Sequence, residues 1–387
     1  MKLARLALIP ILTGSCSLRP IDDLSEPSAD AGDGNALCPR PGWCELPGTH
    51  LQSVCPPKTS SFDYPFYCKS VVRSPNSGAA DILRNRLLIW GAFPTYYYGN
   101  EMYALDLATQ QLTRLDDPSP LIDPGATVCP PMTMDGKPTA RLTWDAVTQI
   151  DETDELFAFG GDLACPGVPG EGLDTWTRDF GTMEWSQKLP GGTGAGPPTA
   201  YEYALADSDR QSQTVFVHTR HALWAYHYDS NTYQHLIDNE ITYAMTGRVD
   251  PKRRLFVAMG SKGYPPGGLK VYDISAPDKE VVVYDWTDQA TGCDALLASP
   301  APGLAWDPRV ERLVGWPDFG NTVYLFDPDT KSCEARTFEG GPPNSHHSGD
   351  MDSSNGTRGR WRYFPQLDLF AVVNDWDIDA FVLRLGP

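Results

Sequence analysis

The chain has 387 residues, which is long enough for one large β domain or for two domains of average size. Its 35 glycines and 35 prolines are typical of a turn-rich all-β protein, and 11 tryptophans and 17 tyrosines add residues that favour strands. The formal net charge of −19 argues against a protein that holds phosphate backbones, so no nucleic-acid partner is expected.

The first sixteen residues resemble an export signal. Lys2 and Arg5 precede the short apolar run of residues 6–12, and residues 13–16, TGSC, resemble a lipoprotein cleavage box in which Cys16 is lipidated. A simple signal peptide cut nearby is the alternative. No later run is long and apolar enough to span a bilayer. We expect an exported protein of the bacterial cell envelope, as an outer-membrane lipoprotein or in the periplasm, or a secreted one. Any membrane contact would be made through the lipid.

Cysteine usage agrees with export. If Cys16 is lipidated, eight cysteines remain, which is an even number that fits four disulfide bonds in an oxidising compartment. We expect Cys129 to pair with Cys165, Cys293 to pair with Cys333, and the first four of the eight to pair among themselves. Free buried thiols are the alternative. No two cysteines have CxxC spacing, so a zinc site is not expected.

Residues 17–60 are predicted to be a linker. Residues 17–36 are polar, acidic and poor in large apolar side chains, as in a disordered tether, and residues 37–60 add three cysteines and several prolines. From residue 61 to residue 387 the chain repeats a unit of three or four short strands. Repeats of roughly 40–60 residues with four strands each are typical of propeller blades.

Six such units predict an all-β protein with a single six-bladed β-propeller of four-stranded blades. Seven blades and a β-sandwich are the alternatives. The last strand, residues 380–385, ends two residues before the C-terminus, so a strand from the other end of the chain must close the ring. Residues 60–72, SSFDYPFYCKSVV, are the predicted donor of that strand.

The repeated unit is an apolar strand that ends near glycine, a loop, and a strand that carries Trp or Tyr. This pattern resembles kelch-type β-propellers, including the central domain of galactose oxidase. Residues 155–189 match best, through Gly160 and Gly161, Trp176 and Trp185. The resemblance implies a propeller fold and leaves the activity open.

A narrower resemblance concerns residues 90–107, WGAFPTYYYGNEMYALDL. They are similar to a segment of exported bacterial propellers of mostly undefined role. Those proteins carry a histidine where this chain has tyrosines, and a second histidine where this chain has Leu142. The resemblance extends over about residues 80–387.

The inner strands of a propeller line its channel, and loops at one mouth form the site. Arginine grips carboxylates and sulfates with two parallel hydrogen bonds, and aromatic faces stack on sugar rings. The sequence therefore predicts a site for an anionic glycan, unless the arginines pair with acids and lock the blades. The candidate ligand-binding residues are Tyr96, Tyr97, Tyr98, Asn100, Glu101, Arg141, Trp144, Tyr203, Arg248, Trp306, Arg360 and Arg362.

We favour a non-catalytic, surface-tethered module that binds a glycan, or an envelope protein for which it serves as a scaffold. The alternative is a polysaccharide lyase acting on a uronate polymer. In that case Arg141 and Arg360 would neutralise the carboxylate, and Tyr98 or His221 would abstract the C5 proton. The absence of the two motif histidines favours the first hypothesis. No metal or cofactor is expected, and the protein is expected to be a monomer.

Overall fold

The computed structural model describes residues 34–189, 196–197, 203–276, 281–343 and 356–386. Six antiparallel sheets form a six-bladed β-propeller, which confirms the predicted fold and the count of six blades. Five blades have four strands, and in the second blade the innermost strand is divided into two pieces. The predicted signal segment and Cys16 lie outside the described residues.

The strands are numbered in chain order. They are β1 (Gly42–Leu46), which belongs to blade six; β2 (Ser77–Asp81), β3 (Arg86–Trp90), β4 (Met102–Asp106) and β5 (Gln111–Arg114) in blade one; β6 (Arg141–Leu142), β7 (Val147–Ile150), β8 (Glu155–Cys165), β9 (Val168–Asp179) and β10 (Trp185–Leu189) in blade two; β11 (Leu205–Asp209), β12 (Thr214–His218), β13 (Ala222–His227) and β14 (Thr232–Asp238) in blade three; β15 (Thr246–Asp250), β16 (Leu255–Gly260), β17 (Gly268–Asp273) and β18 (Val282–Asp285) in blade four; β19 (Gly303–Asp307), β20 (Arg312–Trp316), β21 (Thr322–Asp327) and β22 (Ser332–Thr337) in blade five; and β23 (Trp361–Phe364), β24 (Leu369–Val372) and β25 (Ala380–Arg384) in blade six.

Short helices lie outside the sheets. They are α1 (Gly34–Leu37), α2 (Tyr64–Tyr67), α3 (Ser70–Arg73) and α4 (Asp294–Ala298), with 3-10 turns at Leu51–Val54 and Arg358–Arg360. The second strand of each blade is covered on both faces by the neighbouring blades, which explains the nearly continuous apolar sequences of β3, RLLIW, and β16, LFVAMG.

Four inner strands, β2, β11, β15 and β19, carry glycine or alanine near the axis, where space is limited. A Cβ atom on Gly78 of β2 would lie 2.5 Å from the carbonyl oxygen of Leu88 and 3.1 Å from that of Gly359. Four inner strands end in a buried aspartate whose carboxylate accepts hydrogen bonds from backbone N–H groups of the following turn, as Asp250 does from Arg253 at 3.0 Å.

Blade six is closed by the N-terminal part of the chain. Strand β1 pairs antiparallel with β25, from Gly42 opposite Arg384 to Leu46 opposite Ala380. Its Trp43 packs against two tryptophans of blades five and six, with ring centroids 5.6 Å apart in both cases. The prediction that residues 60–72 donate this strand was wrong, because α2 and α3 occupy most of that range. Part of the predicted 17–60 linker is therefore a strand of the propeller.

The described cysteines form four disulfide bonds, as predicted. Cys129 pairs with Cys165 and Cys293 with Cys333, while the first four form the pairs Cys38–Cys44 and Cys55–Cys68. Four disulfides in one chain indicate an oxidising compartment. In the part of the chain that the structure describes, no helix has the length and apolar character needed to cross a membrane.

Candidate functional site

The channel has two distinct mouths. The inner strands contact one another around the ring in the order β2, β7, β11, β15, β19, β23 and back to β2. All six run in the same direction along the channel. In every blade, including blade six with β23, the innermost strand comes before the second and third strands in the chain. Residues that precede the inner strands therefore lie at one end, called here the upper mouth, and residues that follow them lie at the lower mouth.

Between the two mouths the channel is closed by a buried ion pair. Arg248 of β15 donates to both carboxylate oxygens of Asp145, at 2.8 and 3.2 Å, and both side chains are 2% exposed or less. Asp145 precedes β7, which is separated from β15 by β11, so the pair crosses the channel. Asp145 also accepts from the hydroxyl of Ser77 at 3.0 Å. This carboxylate therefore joins three blades.

Three further arginines brace the same region. Arg362 of β23 donates to the carbonyls of Gly78 and Val147 at 2.8 and 3.2 Å and lies 3.6 Å from Asp207 on the opposite strand β11. Arg358 donates to the carbonyls of Tyr243 and Met245, and Arg360 to those of Val373 and Gly356. Burial lowers the pKa of each of the three guanidinium groups to about 10, so all remain charged at neutral pH.

Aromatic side chains collect at the upper mouth. Trp144 meets Tyr203 edge to face with ring centroids 5.1 Å apart, and Tyr203 lies 5.4 Å from Tyr243, which in turn lies 6.2 Å from Tyr264. Tyr243 is 38% exposed and Tyr264 is 61% exposed. These four side chains are called here the aromatic mouth. They form an apolar surface that is open to solvent at the end of the channel.

Two guanidinium groups lie against the aromatic mouth. Arg358 is centred 5.5 Å from the ring of Trp144, at the boundary with the closed part of the channel, and the exposed Arg220 is centred 5.9 Å from the ring of Tyr203. Both distances are within the range of cation–π attraction. The aromatic mouth therefore has one guanidinium group below it and another at its side.

The backbone at this mouth is strained. Trp144, Tyr203 and Arg358, which precede three different inner strands, have φ angles of 51°, 64° and 54°. Large residues rarely adopt this left-handed conformation, which costs about 1–3 kcal/mol each and occurs often at ligand-binding sites. In addition, the indole Nε1 of Trp144 is buried and has no acceptor among the described residues. A buried donor without an acceptor is costly.

The lower mouth contains a cavity of about 250 Å³. All six blades line it with the last residues of their inner strands and the turns that follow. Arg248, Trp306 and Arg362 are among the lining residues, together with Asp151 and Asp207. The residues predicted to form one site are therefore divided, because Trp144 and Tyr203 lie at the opposite end.

The three tyrosines of the first blade contribute to packing outside the channel. Tyr97 is fully buried and donates its hydroxyl hydrogen to Glu101, while Tyr98 packs its ring 5.3 Å from that of Phe62. Tyr96, which is 37% exposed, stacks on Phe93. Two of the three tyrosines thus pack within the blade or against the segment that precedes it.

Glu101 is the centre of a buried polar cluster. Its carboxylate accepts from Tyr97 and, at 2.6 Å, from Tyr103, and burial raises its pKa. A Cβ atom at Gly99 would lie 2.3 Å from the second carboxylate oxygen, so the glycine provides space for this acid. Asn100 donates to the hydroxyl of Ser119 and to the carbonyl of Pro138, both at 2.9 Å. Neither Asn100 nor Glu101 lines either mouth.

The structure does not bring the proposed lyase residues together. Arg141 is buried and forms an ion pair with Asp174 at 2.7 Å, and Arg360 lies in the closed part of the channel. His221 is exposed and lies 3.3 Å from Glu240. Tyr98 donates to a backbone carbonyl of its own loop. These four side chains share no partner, and the two arginines are inaccessible to a polymer.

Two histidines, His218 and His221, flank the turn between β12 and β13. His218 is buried and lies 2.6 Å from the hydroxyl of Tyr272, and burial lowers its pKa to about 4, whereas His221 points to solvent. Among the described residues, no group of three or more His, Cys, Asp or Glu side chains could hold a metal ion.

Sequence reasoning missed residues at both mouths, among them Tyr264, Arg220 and Asp151. Tyr264 and Arg220 lie in loops between the second and third strands of their blades, and Asp151 follows inner strand β7. A signal for the loop residues was available, since loops of this type lie at the upper mouth. The sequence matches no known protein-family model, and a search of curated proteins finds no match either.

Proposed function

We propose that this protein is an exported, kelch-like binding module that holds a glycan at the aromatic mouth. The single observation that carries the proposal is the open aromatic surface formed by Trp144, Tyr203, Tyr243 and Tyr264 at the end of the channel. Tyr243 and Tyr264 are 38% and 61% exposed there, and sugar rings present the C–H faces that stack on aromatic rings.

The charges at this mouth favour an anionic sugar. Arg358 below Trp144 and Arg220 beside Tyr203 place two guanidinium groups against these rings, and guanidinium groups bind carboxylate and sulfate oxygens. We therefore propose uronate-containing or sulfated oligosaccharides as the ligand class.

Export and tethering are part of the same proposal. The four disulfides agree with an oxidising compartment, and the N-terminal sequence resembles a lipoprotein signal that ends at Cys16. Labelling of cells with a radioactive fatty acid would test the tether. Incorporation that is lost in Cys16→Ser is the expected result, and unlabelled wild-type protein would contradict the tether alone.

Binding without turnover is favoured over the lyase because both arginines assigned to it have buried partners. If the protein were a lyase, a uronate polymer would gain ultraviolet absorbance from unsaturated products in its presence. We expect no such change. Release of unsaturated products by wild-type protein would overturn the binding-only proposal.

The test of the site is titration calorimetry with neutral, uronate-containing and sulfated oligosaccharides. Tyr243→Ala and Tyr264→Ala should each weaken binding about 2- to 10-fold, which corresponds to the 0.5–1.5 kcal/mol typical of one aromatic contact. Tyr284→Ala is the matched control, because Tyr284 is 40% exposed on β18, away from either mouth.

Two outcomes would contradict the proposal. One is equal affinity in all three variants, which would place the ligand elsewhere. The other is the absence of glycan binding together with recovery of an envelope protein that depends on Tyr243 and Tyr264, which would indicate a scaffold.

A further inference from the structure

The lower-mouth cavity contains an uneven set of charges. Four carboxylates and three guanidinium groups line it, together with Trp306 and several prolines. The acids are Asp151, Glu152, Asp207 and Asp209, and the cations are Arg210, Arg248 and Arg362. The balance is therefore one negative charge, and the position of that charge follows from the partners of each group.

The three arginines are committed to acceptors in the protein. Arg248 pairs with Asp145, and Arg362 donates to backbone carbonyls across the channel. Arg210 lies 2.8 Å from Glu152, which also accepts from the hydroxyl of Tyr228 at 2.9 Å. All three guanidinium groups therefore already have acceptors within the protein, which argues against an anion as the ligand of this cavity.

Two of the remaining acids also have partners. Asp207 accepts from the hydroxyl of Thr148 at 2.9 Å and from the backbone N–H of Val249 at 2.8 Å. Asp209 pairs with Arg254 and accepts from the backbone N–H of Ser212. Each carboxylate is thus fixed by at least two donors.

Asp151 differs from the other acids. Its carboxylate has no hydrogen-bond or ion-pair partner among the described residues, and it lines the cavity beside Glu152 and Asp207. Burial, followed by repulsion from those two acids, raises the pKa of Asp151 to about 7, and attraction to Arg210 and Arg362 only partly opposes this. A bound cation would relieve the same repulsion.

We propose that the lower-mouth cavity binds a small organic cation, with the Asp151 carboxylate paired to a primary ammonium group and the alkyl part of the ligand against Trp306. A volume of about 250 Å³ accommodates only a small molecule. An ammonium group fits better than a metal ion, because one free carboxylate is too few ligands for a metal and no metal-binding group is found among the described residues. The hydroxyl of Ser208, which also lines the cavity, is a second acceptor.

The probes are n-butylamine and butyrate, which are both straight chains of four carbons and carry opposite charges at pH 8. Calorimetric titration should detect binding of the amine and none of the carboxylate. Asp151→Asn should weaken amine binding at least 10-fold. Asp238→Asn is the matched control, since that carboxylate is 89% exposed on β14 and lies away from the channel.

The pH dependence of wild-type protein gives a readout that needs no variant. Amine binding requires an ionised Asp151. Below its pKa of about 7, the affinity for the amine should therefore decrease by roughly 10-fold for each pH unit. The charged groups facing it are Glu152 from its own turn, Asp207 and Arg210 from blade three, and Arg362 from blade six. Butylamine remains protonated over this range, so the change reports the protein.

Three results would overturn the proposal. They are binding of butyrate in preference to butylamine, amine affinity in Asp151→Asn within about twofold of wild type, and equal amine affinity at pH 6 and pH 8. Release of protons on amine binding, seen as a dependence of the measured heat on the buffer, would support it.

Discussion

The arginines inside the channel and the aromatic rings at its upper mouth are neighbours, yet they meet opposite physical requirements. Arg248 is 2% exposed and is fixed by a carboxylate, whereas Tyr264 is 61% exposed and packs only loosely on the next tyrosine. A buried charge must be paired to be tolerated, and an exposed ring is free to take a ligand. The interior therefore holds the blades together, and the rim is available for binding.

Removal of one member of the central ion pair should have the largest effect. Asp145→Ala leaves Arg248 charged and buried without its carboxylate, and it also removes the acceptor of Ser77. Loss of one partner of a buried pair typically costs about 3–5 kcal/mol. Urea unfolding should show a decrease of this size in the free energy of unfolding.

The control is Asp238→Ala, which removes an exposed carboxylate and should change stability by less than about 0.5 kcal/mol. The double variant with Asp145→Leu and Arg248→Met should lose less stability than Asp145→Ala, because no unpaired charge remains. If Asp145→Ala lowered the free energy of unfolding by less than about 1 kcal/mol, the interior would not differ from the rim in its contribution to stability.

An effect of intermediate size is expected at the lower mouth, where Asp151 is neither fixed like Asp145 nor open like Tyr264. Its pKa is raised to about 7, so the folded state holds a proton that the unfolded state has lost at intermediate pH. The contribution of Asp151 to stability should therefore fall as pH rises from about 4 to about 7, by up to about 1.4 kcal/mol per pH unit.

Asp151→Asn tests this directly. The variant should unfold like wild type near pH 4 and be more stable than wild type at pH 8. Other groups titrate in the same window, including His218, whose lowered pKa acts in the opposite direction. The relevant quantity is therefore the difference between variant and wild type. A difference that does not change with pH would contradict the assignment.

The smallest effect on stability is expected at the aromatic mouth. Tyr243→Ala and Tyr264→Ala remove rings that are 38% and 61% exposed, so each should lower the free energy of unfolding by no more than about 0.5 kcal/mol. A loss of several kcal/mol in either variant would assign the ring a structural role. The aromatic mouth and the central ion pair would then contribute equally to stability.

The sequence was informative wherever local chemistry determines structure. Apolar second strands recur in every clear repeat, and they predict blades because each blade buries its second strand in the same way. The even number of cysteines left after Cys16 predicted four disulfide bonds, and the structure confirms the expected pairs Cys129–Cys165 and Cys293–Cys333.

The sequence was less informative wherever distant parts of the chain meet. Residues 42–46, GWCEL, are too short and too rich in neighbouring Cys and Pro to be recognised as a strand, and their partner lies at the far end of the chain. The burial of Arg141 and Arg360 also could not be predicted from the sequence. An arginine that binds a ligand and one that forms internal hydrogen bonds in the channel have the same local sequence pattern.

The pairing of β1 with β25 affects how the protein is made. Strand β1 leaves the ribosome first, yet its partner is synthesised after every other blade. Until then blade six has an unpaired edge, and β1 is free to pair with the β25 of another copy. Crowded biosynthesis, more than heat, is therefore the condition in which this propeller is most at risk of exchanging strands.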